Sequence, residues 1–250
     1  MDYNDVEEYK ARNGEGFSTE HKVLNAEDIY ALVGKRVRGS LLWMIFGLII
    51  TGVVGGYMLF SGSEISLALF KSYKVLLLVE LGVVFLFSAL VHKSSANVLR
   101  VLFIVYSALN GITLSILGYL YTGDSIIYIF LGTVVLFSVL AIYGYVTKED
   151  LSKYSTFLFV GLISIIVIGL INMFIGSSQL DLILSIAGVI IFVIFTAFDI
   201  NRIKKQFTYS IAYEQEVEML DKIEIAGALT LYLDFINLFI YLLRLFGRRR

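Results

Sequence analysis

The feature that most constrains this chain is a series of seven long apolar runs. Each run has about the length that a helix needs to cross the hydrocarbon core of a bilayer, roughly 17–25 residues. Only 16% of the residues are charged and 58% are hydrophobic, which predicts an integral membrane protein. The predicted spans are Leu41–Phe60, Val75–Val91, Val101–Gly123, Ser125–Val146, Tyr154–Leu180, Leu182–Phe198 and Ile225–Leu243.

The composition excludes several kinds of site. The chain has no cysteine, so disulfides, thiolate metal sites and cysteine nucleophiles are excluded. Its two histidines, His21 and His92, are far apart in sequence, which argues against haem or a polyhistidine metal site. No hydrolase elbow, zinc-protease motif or phosphate-binding glycine loop occurs. We therefore expect no enzyme and no resident cofactor, and the net charge of −1 gives no reason to expect a nucleic-acid partner.

The Lys and Arg residues predict the orientation of the spans. With a cytoplasmic N-terminus, eleven of them fall in inner connections and only Lys71 and Lys74 in outer ones. Seven full crossings would place the basic residues 248–250 outside, against this rule, and we favour a full last crossing. No secretory signal peptide is recognisable in the polar N-terminal segment, so the first span is expected to direct insertion.

The polar N-terminus predicts a separate segment. We expect residues 1–38 to be a cytoplasmic tail and residues 39–250 to be the membrane domain. Asn25 begins a pattern typical of a helix cap, and Ile29, Leu32 and Val33 form an apolar stripe. This predicts a short amphipathic helix at the headgroup level, while a solvated tail is the alternative.

Asp234 lies near the middle of a nineteen-residue apolar run that has no other charge. A carboxylate at that depth costs on the order of 2.5–3.5 kcal/mol, so it needs a partner, a proton or water. Helical spacing puts Asp234 on one face with Thr230, Asn237 and Tyr241. This polar stripe predicts a pathway lining, and a protonated carboxyl bonded to a neighbouring helix is the alternative.

Two further acidic residues lie in or beside the spans. Asp199 is placed at the end of the sixth span, where a carboxylate paired with Arg202 at the membrane interface is the simpler interpretation. Glu80 lies near the outer end of the second span, where it either extends to the surface or marks an external mouth. Asn110, in the third span, shares a face with Tyr106 and Thr113 and could complete a polar lining.

Three segments resemble a known family. They are Phe195-Thr-Ala-Phe-Asp-Ile-Asn-Arg-Ile-Lys204, Ala228-Leu-Thr-Leu-Tyr-Leu-Asp-Phe-Ile-Asn-Leu-Phe239 and Tyr106-Ser-Ala-Leu-Asn-Gly-Ile-Thr-Leu-Ser115. With the predicted helical layout, they resemble the bacterial branch of the Bax-inhibitor-motif family over roughly residues 38–246. The resemblance implies an all-α integral membrane protein of the bacterial inner membrane, with six transmembrane helices forming a shell around a central seventh.

The resemblance also implies an activity, a pH-sensitive leak of calcium ions. It implies that Asp199 and Asp234 form the gating pair, which would bind calcium transiently. It places Glu80 at the family's acidic position in the second helix. The arginine that many members carry late in that helix is replaced here by His92 and Lys93, which, with Arg202, are the candidate counter-ions. Glu80, Asn237, Thr230 and Asn110 are the candidates for the ion path or its mouth.

Two carboxyls in a low-dielectric setting share a proton more readily than both ionise, so the pair would act as a proton switch. Membrane lipids and calcium ions are the expected partners, and we favour a monomer. A different class is a non-conducting regulator that binds a membrane protease or a cell-death-related protein. A proton-coupled transporter is disfavoured because the first, third, fourth and fifth spans carry no charge.

Overall fold

The computed structural model describes residues 25–60, 73–213 and 215–250. Residues 1–24 of the predicted tail, residues 61–72 and Glu214 lie outside the described residues. The described chain is all-helical, with no β-sheet. Its main helices are α1 (Ala26–Phe60), α2 (Tyr73–Leu90), α3 (Ala96–Leu114), α4 (Gly123–Val146), α5 (Ser155–Ile175), α6 (Ser178–Ala212) and α7 (Val217–Phe246).

The predicted membrane protein is confirmed at the level of its helices. Six of them, all except α2, are long and apolar enough to cross a bilayer. The apolar part of α2, Val75–Leu90, is shorter. A larger share of α7 is buried than of any of the other five. It packs against α6, α1, α4 and α3.

Helix α1 starts where the sequence predicts a cap. The side chain of Asn25 accepts a hydrogen bond from the backbone N–H of Asp28 at 2.8 Å, and the Asp28 carboxylate accepts one from the Asn25 N–H. The helix then runs to Phe60 without a break at Arg38, so the cap begins a long spanning helix rather than a short one.

The boundaries around α6 differ from those predicted. Helix α5 ends at Gly176, whose φ of 70° is accessible to glycine, and Ser177 caps α6. The turn between α5 and α6 therefore lies at Gly176 and Ser177, as glycine and serine at these positions predict, and Asp181 lies in the first turn of α6. At the other end, α6 continues to Ala212, so the predicted connection from Ile200 to Glu224 is mostly helix. The extension follows from the sequence, because residues 200–216 contain neither glycine nor proline.

A charged cluster joins α7 to α1 and α3 at the end of the bundle where α7 begins. The Arg36 guanidinium contacts Asp221 at 2.6 Å and Glu224 at 3.0 Å, and Arg100 contacts Asp221 at 2.8 Å. The Glu218 carboxylate accepts a hydrogen bond from the first N–H of α3 at 2.7 Å. These contacts fix the start of α7 against two neighbouring helices.

The residues that follow α7 are hydrogen-bonded to residues at the start of α4. The N–H of Thr122 donates to the Arg248 carbonyl at 3.0 Å, and the N–H of Arg250 donates to the Leu120 carbonyl at 3.1 Å. A further bond runs from the Arg248 N–H to the Ser125 hydroxyl. The C-terminal residues therefore lie beside the start of α4, a full helix away from its end at Val146.

Candidate functional site

Helices α6 and α7 bring Asp199 and Asp234 together inside the bundle. Each residue is only 4% exposed. The two carboxyls are neighbours that interact across the contact between α6 and α7. Carboxylates only accept hydrogen bonds, so a direct hydrogen bond between the two carboxyls requires a proton on one of them. The arrangement can hold a single shared proton between two helices.

The pair has few other partners. Oδ2 of Asp234 is buried and makes no hydrogen bond within the described residues. The nearest cation to Asp199 is the Arg202 guanidinium, at 3.8 Å, and its side chain is 60% exposed. A contact of this length with a solvated group neutralises a carboxylate only weakly. The two carboxyls must therefore be satisfied by a proton, by water or by a bound cation.

The position of Asp199 depends on a close approach between α6 and α4. Gly144 of α4 lies so near the backbone of Ala197 that a Cβ would overlap the Ala197 carbonyl. One turn further along α6, Nδ2 of Asn201 donates to the Gly144 carbonyl at 3.2 Å. Both contacts involve residues two positions away from Asp199, so they fix the segment of α6 that carries it.

A cavity of about 1220 Å³ reaches this site from one end of the bundle. Asp199, Thr230 and Leu233 are among its lining residues, whereas Asp234 and Asn237 are not part of its wall. Exposed side chains at its rim include Lys148, beside the end of α4. We call this cavity the vestibule; its ionisable lining residues are His92, Lys148, Glu149, Asp199, Arg202, Lys204, Lys205 and Lys222.

Glu80 belongs to a separate buried site. It is 6% exposed and does not extend to a surface. Its carboxyl accepts hydrogen bonds from the Thr113 hydroxyl at 2.6 Å and from Nδ2 of Asn110 at 3.4 Å. It makes no ion pair within the described residues. The carboxyl therefore attaches α2 to α3 rather than marking an open mouth.

Asn110 extends this second site to α7 and α1. The Tyr232 hydroxyl donates to Oδ1 of Asn110 at 3.2 Å and lies 2.6 Å from the Thr51 hydroxyl. The Thr51 hydroxyl is also within 2.9 Å of the carbonyls of Gly47 and Ser107. We call Glu80, Thr113, Asn110, Tyr232 and Thr51 the polar bridge, because they connect four helices through side chains.

The remaining predicted residues do not all belong to these two sites. Thr230 lines the vestibule, and its hydroxyl donates to the Ala226 carbonyl of its own helix. Asn237 is half-buried and donates to the Leu233 carbonyl. His92 lies in the vestibule wall and Lys93 does not. No group of three or more His, Asp or Glu side chains that could hold a resident metal occurs in the described part of the chain.

Sequence reasoning missed three residues of these sites. Tyr232 lies off the polar stripe of α7, and a tyrosine in an apolar helix gives no sign of its hydrogen bonds. Thr51 and Asn201 are small polar residues of a kind that is common in membrane helices. The alignment of Asn110 with Thr113 was the one available signal for the polar bridge.

Comparison with known proteins agrees with this architecture. A family model described as "Inhibitor of apoptosis-promoting Bax1" matches residues 33–250. The inner membrane protein YbhL of Escherichia coli strain K12 is 40% identical over 210 residues, covering 83% of this chain and 89% of YbhL. An uncharacterised protein of Borreliella burgdorferi is 37% identical over 221 residues, covering 86% of this chain and 94% of that protein.

The match includes α6 and α7 and extends almost from the start of α1 to the C-terminus. Both relatives are covered over most of their own length, so the likeness concerns whole membrane proteins rather than one helix pair. The chain therefore belongs to the Bax inhibitor-1 family of membrane proteins.

Proposed function

We propose that the protein is a passive calcium-leak pathway of the bacterial inner membrane and that the Asp199–Asp234 pair is its proton-sensitive gate. The observation that carries the proposal is that two buried aspartates interact between α6 and α7 and that one of them, Asp199, lines the vestibule. Family membership supports it, because the segments that carry the resemblance contain both aspartates.

The chemistry of the pair supports a switch. With one proton, the two carboxyls share a hydrogen bond that joins α6 to α7. With none, two like charges face each other in a low-dielectric setting and repel. Each protonation state therefore favours a different spacing of the two helices, which is what a two-state gate requires.

Calcium suits the site as a permeant ion rather than as a resident one. Calcium takes six to eight oxygen ligands in its stable protein sites. Two carboxyls offer at most four oxygens, so water and neighbouring carbonyls must complete the shell. Weak, partly hydrated binding is what a conducting site needs, because the ion must also leave.

The membrane arrangement that we propose has seven crossings, a cytoplasmic N-terminus and α7 at the centre of a six-helix shell. The burial of α7 and its packing against four other helices support the central position. The location of the C-terminal residues beside the start of α4, away from the vestibule, supports an odd number of crossings.

Calcium flux into proteoliposomes that contain a calcium-sensitive dye tests the function. We expect wild-type protein to give a leak whose rate changes between pH 5 and pH 8. The Asp199→Asn, Asp234→Asn double variant should lose this pH response, because amides cannot exchange the shared proton. A double variant that keeps the wild-type pH profile would contradict the gating role.

Asp150→Asn is the matched control for removal of an aspartate. The Lys205 ammonium, at 2.5 Å, and the Ser152 N–H hold the pKa of Asp150 below its usual range. Its ion pair therefore contributes fully above the ordinary aspartate pKa of about 3.9 and is lost only as the pH falls below that value. Between pH 5 and pH 8 its charge is constant, so this variant should keep the pH response.

The alternative class, a non-conducting regulator, has a distinct outcome in the same experiment. It predicts no calcium flux above that of empty liposomes at any pH, although the protein is folded and inserted. The double variant would then behave like the wild type.

A further inference from the structure

The polar stripe of α7 continues past the aspartate pair, but the vestibule does not. Asp234, Asn237 and Tyr241 follow one another along one face of the helix. None of the three lines the vestibule, which reaches no further along α7 than Leu233. The vestibule therefore reaches Asp199 from one end of the bundle and stops short of Tyr241.

Tyr241 fills the space between α6 and α7 on the closed side. A Cβ placed on Gly188 of α6 would lie 2.6–2.7 Å from atoms of the Tyr241 ring. The ring therefore rests directly on the backbone of α6, at a position that only glycine leaves free. Any other residue at 188 would push the ring away.

The Tyr241 ring has a partner on each helix. It stacks on Phe192 with the ring centroids 5.9 Å apart and an interplanar angle of 27°. The Arg244 guanidinium lies 5.7 Å from its centroid, at a distance typical of a cation–π contact. Phe192 in turn lies against Phe195. An aromatic layer thus separates the aspartate pair from the far end of α7.

We propose that the Tyr241 ring, seated on Gly188 and stacked on Phe192, is a second gate that closes the cation path on the side of the aspartate pair opposite the vestibule. The gating role of this ring rests on the proposed leak function. The packing of the ring against α6 does not depend on that function. An aromatic constriction of this kind excludes hydrated cations, because the ion would have to lose its water shell to pass.

Cysteine accessibility tests the gate without reference to conduction. The natural chain has no cysteine, so a single introduced thiol is the only one present. Asn237→Cys places it behind the proposed gate, and Thr230→Cys places it in the vestibule wall. A membrane-impermeant maleimide is applied from each side of reconstituted vesicles.

We expect the thiol at 230 to be labelled from the vestibule side and the thiol at 237 to be protected from both sides. Adding Tyr241→Ala should raise the labelling rate at 237 from the far side at least tenfold. Adding Tyr241→Phe should not, since the ring remains. The proposal would be overturned if the thiol at 237 stayed protected in Tyr241→Ala, or if it were labelled as fast in Tyr241→Phe as in Tyr241→Ala.

Gly188→Ala gives a second route if Tyr241→Ala does not fold. Its methyl group displaces the ring without removing it, so labelling at 237 should again increase. The thermal transition, followed by fluorescence of Trp43, the single tryptophan, reports whether each variant is folded.

Calcium flux on the same vesicles separates the two proposals. Faster flux in Tyr241→Ala, with increased labelling, supports both. Increased labelling with no flux in any variant would remove the leak function and leave the aromatic closure in place. Unchanged labelling with wild-type flux would remove the aromatic gate alone.

Discussion

The buried carboxyls of this protein differ in how well their surroundings satisfy them. Glu80 accepts hydrogen bonds from two side chains. Asp234 faces another carboxyl and keeps one oxygen without a partner in the described residues. A satisfied polar group stabilises one arrangement, whereas an unsatisfied one favours any change that supplies a partner. Glu80 is therefore suited to a structural role and Asp234 to a switching one.

Tyr232→Phe should weaken the polar bridge. The change removes the hydroxyl that contacts Thr51 and Asn110 while leaving the ring packing intact. We expect a loss of about 0.5–1.5 kcal/mol in the free energy of unfolding, measured by thermal denaturation in detergent. Tyr241→Phe is the matched control, since the Tyr241 hydroxyl makes no hydrogen bond with a described residue. Equal stability of the two variants would show that the bridge contributes nothing.

At the residue scale, a buried charged residue is easier to recognise from the sequence than the hydrogen-bond partners of a neutral one. Asp234 could be found because a carboxylate in an apolar run is costly. Asp199 was assigned to an interface by position, and only the resemblance paired it with Asp234. The Tyr232 and Thr51 hydroxyls could not be paired, because their contact joins residues far apart in the chain and depends on how α1 packs on α7.

Close contacts between helices are set by glycine at a few positions. Gly144 allows α4 to touch the backbone of α6 at Ala197. Gly111 does the same for α3 and α1, where a Cβ would lie 2.7 Å from the Thr51 carbonyl. Small residues at such crossings let helix backbones approach in lipid, where no hydrophobic effect drives association. These contacts hold the helices that carry both buried polar sites.

Gly144→Ala should destabilise the protein by about 1–3 kcal/mol, because the added methyl group forces α4 and α6 apart. Gly132→Ala on the same helix is the control. A Cβ there meets nothing within 4 Å, so the change should be neutral or stabilising by up to about 1 kcal/mol. Thermal unfolding of the two variants checks the difference, and a Gly144→Ala protein as stable as the wild type would contradict the assigned contact.

The existence of the helices was predictable, but their ends were not. The apolar runs identify most of α1 to α7. The fall in hydropathy after Ile200 predicts a connection there, yet the segment contains no helix breaker and its side chains pair with groups on neighbouring elements. Lys204, for example, donates to the Tyr145 carbonyl at 2.7 Å. Hydropathy reports the extent of the apolar core and not the end of the helix.

At the scale of the whole molecule, the two ends of the bundle differ in character. The vestibule end is rich in ionisable groups and holds the start of α1 and the end of α4. The other end holds the aromatic layer and the last residues of the chain. This asymmetry was partly predictable from the distribution of Lys and Arg, whereas the packing of the C-terminus beside Thr122 was not.

Labelling of single cysteines should place the two chain ends on opposite sides of the membrane. Glu27→Cys and Lys148→Cys should react with an impermeant maleimide from the same side, and Arg250→Cys from the other. The expectation follows from the positions of these residues at the two ends of α4. Labelling of Arg250→Cys and Glu27→Cys from one side would contradict seven crossings.

The two anchors of α7 limit how a gate in this protein can work. Its start is bound to Arg36 through Asp221 and Glu224, and the residues after its end are bound to the chain before α4. A helix that is held by contacts at both ends cannot move along its axis without breaking one of these two sets of contacts. Repulsion at Asp234 in the proposed gate must therefore be accommodated by bending of α7 or by sideways displacement of its neighbours.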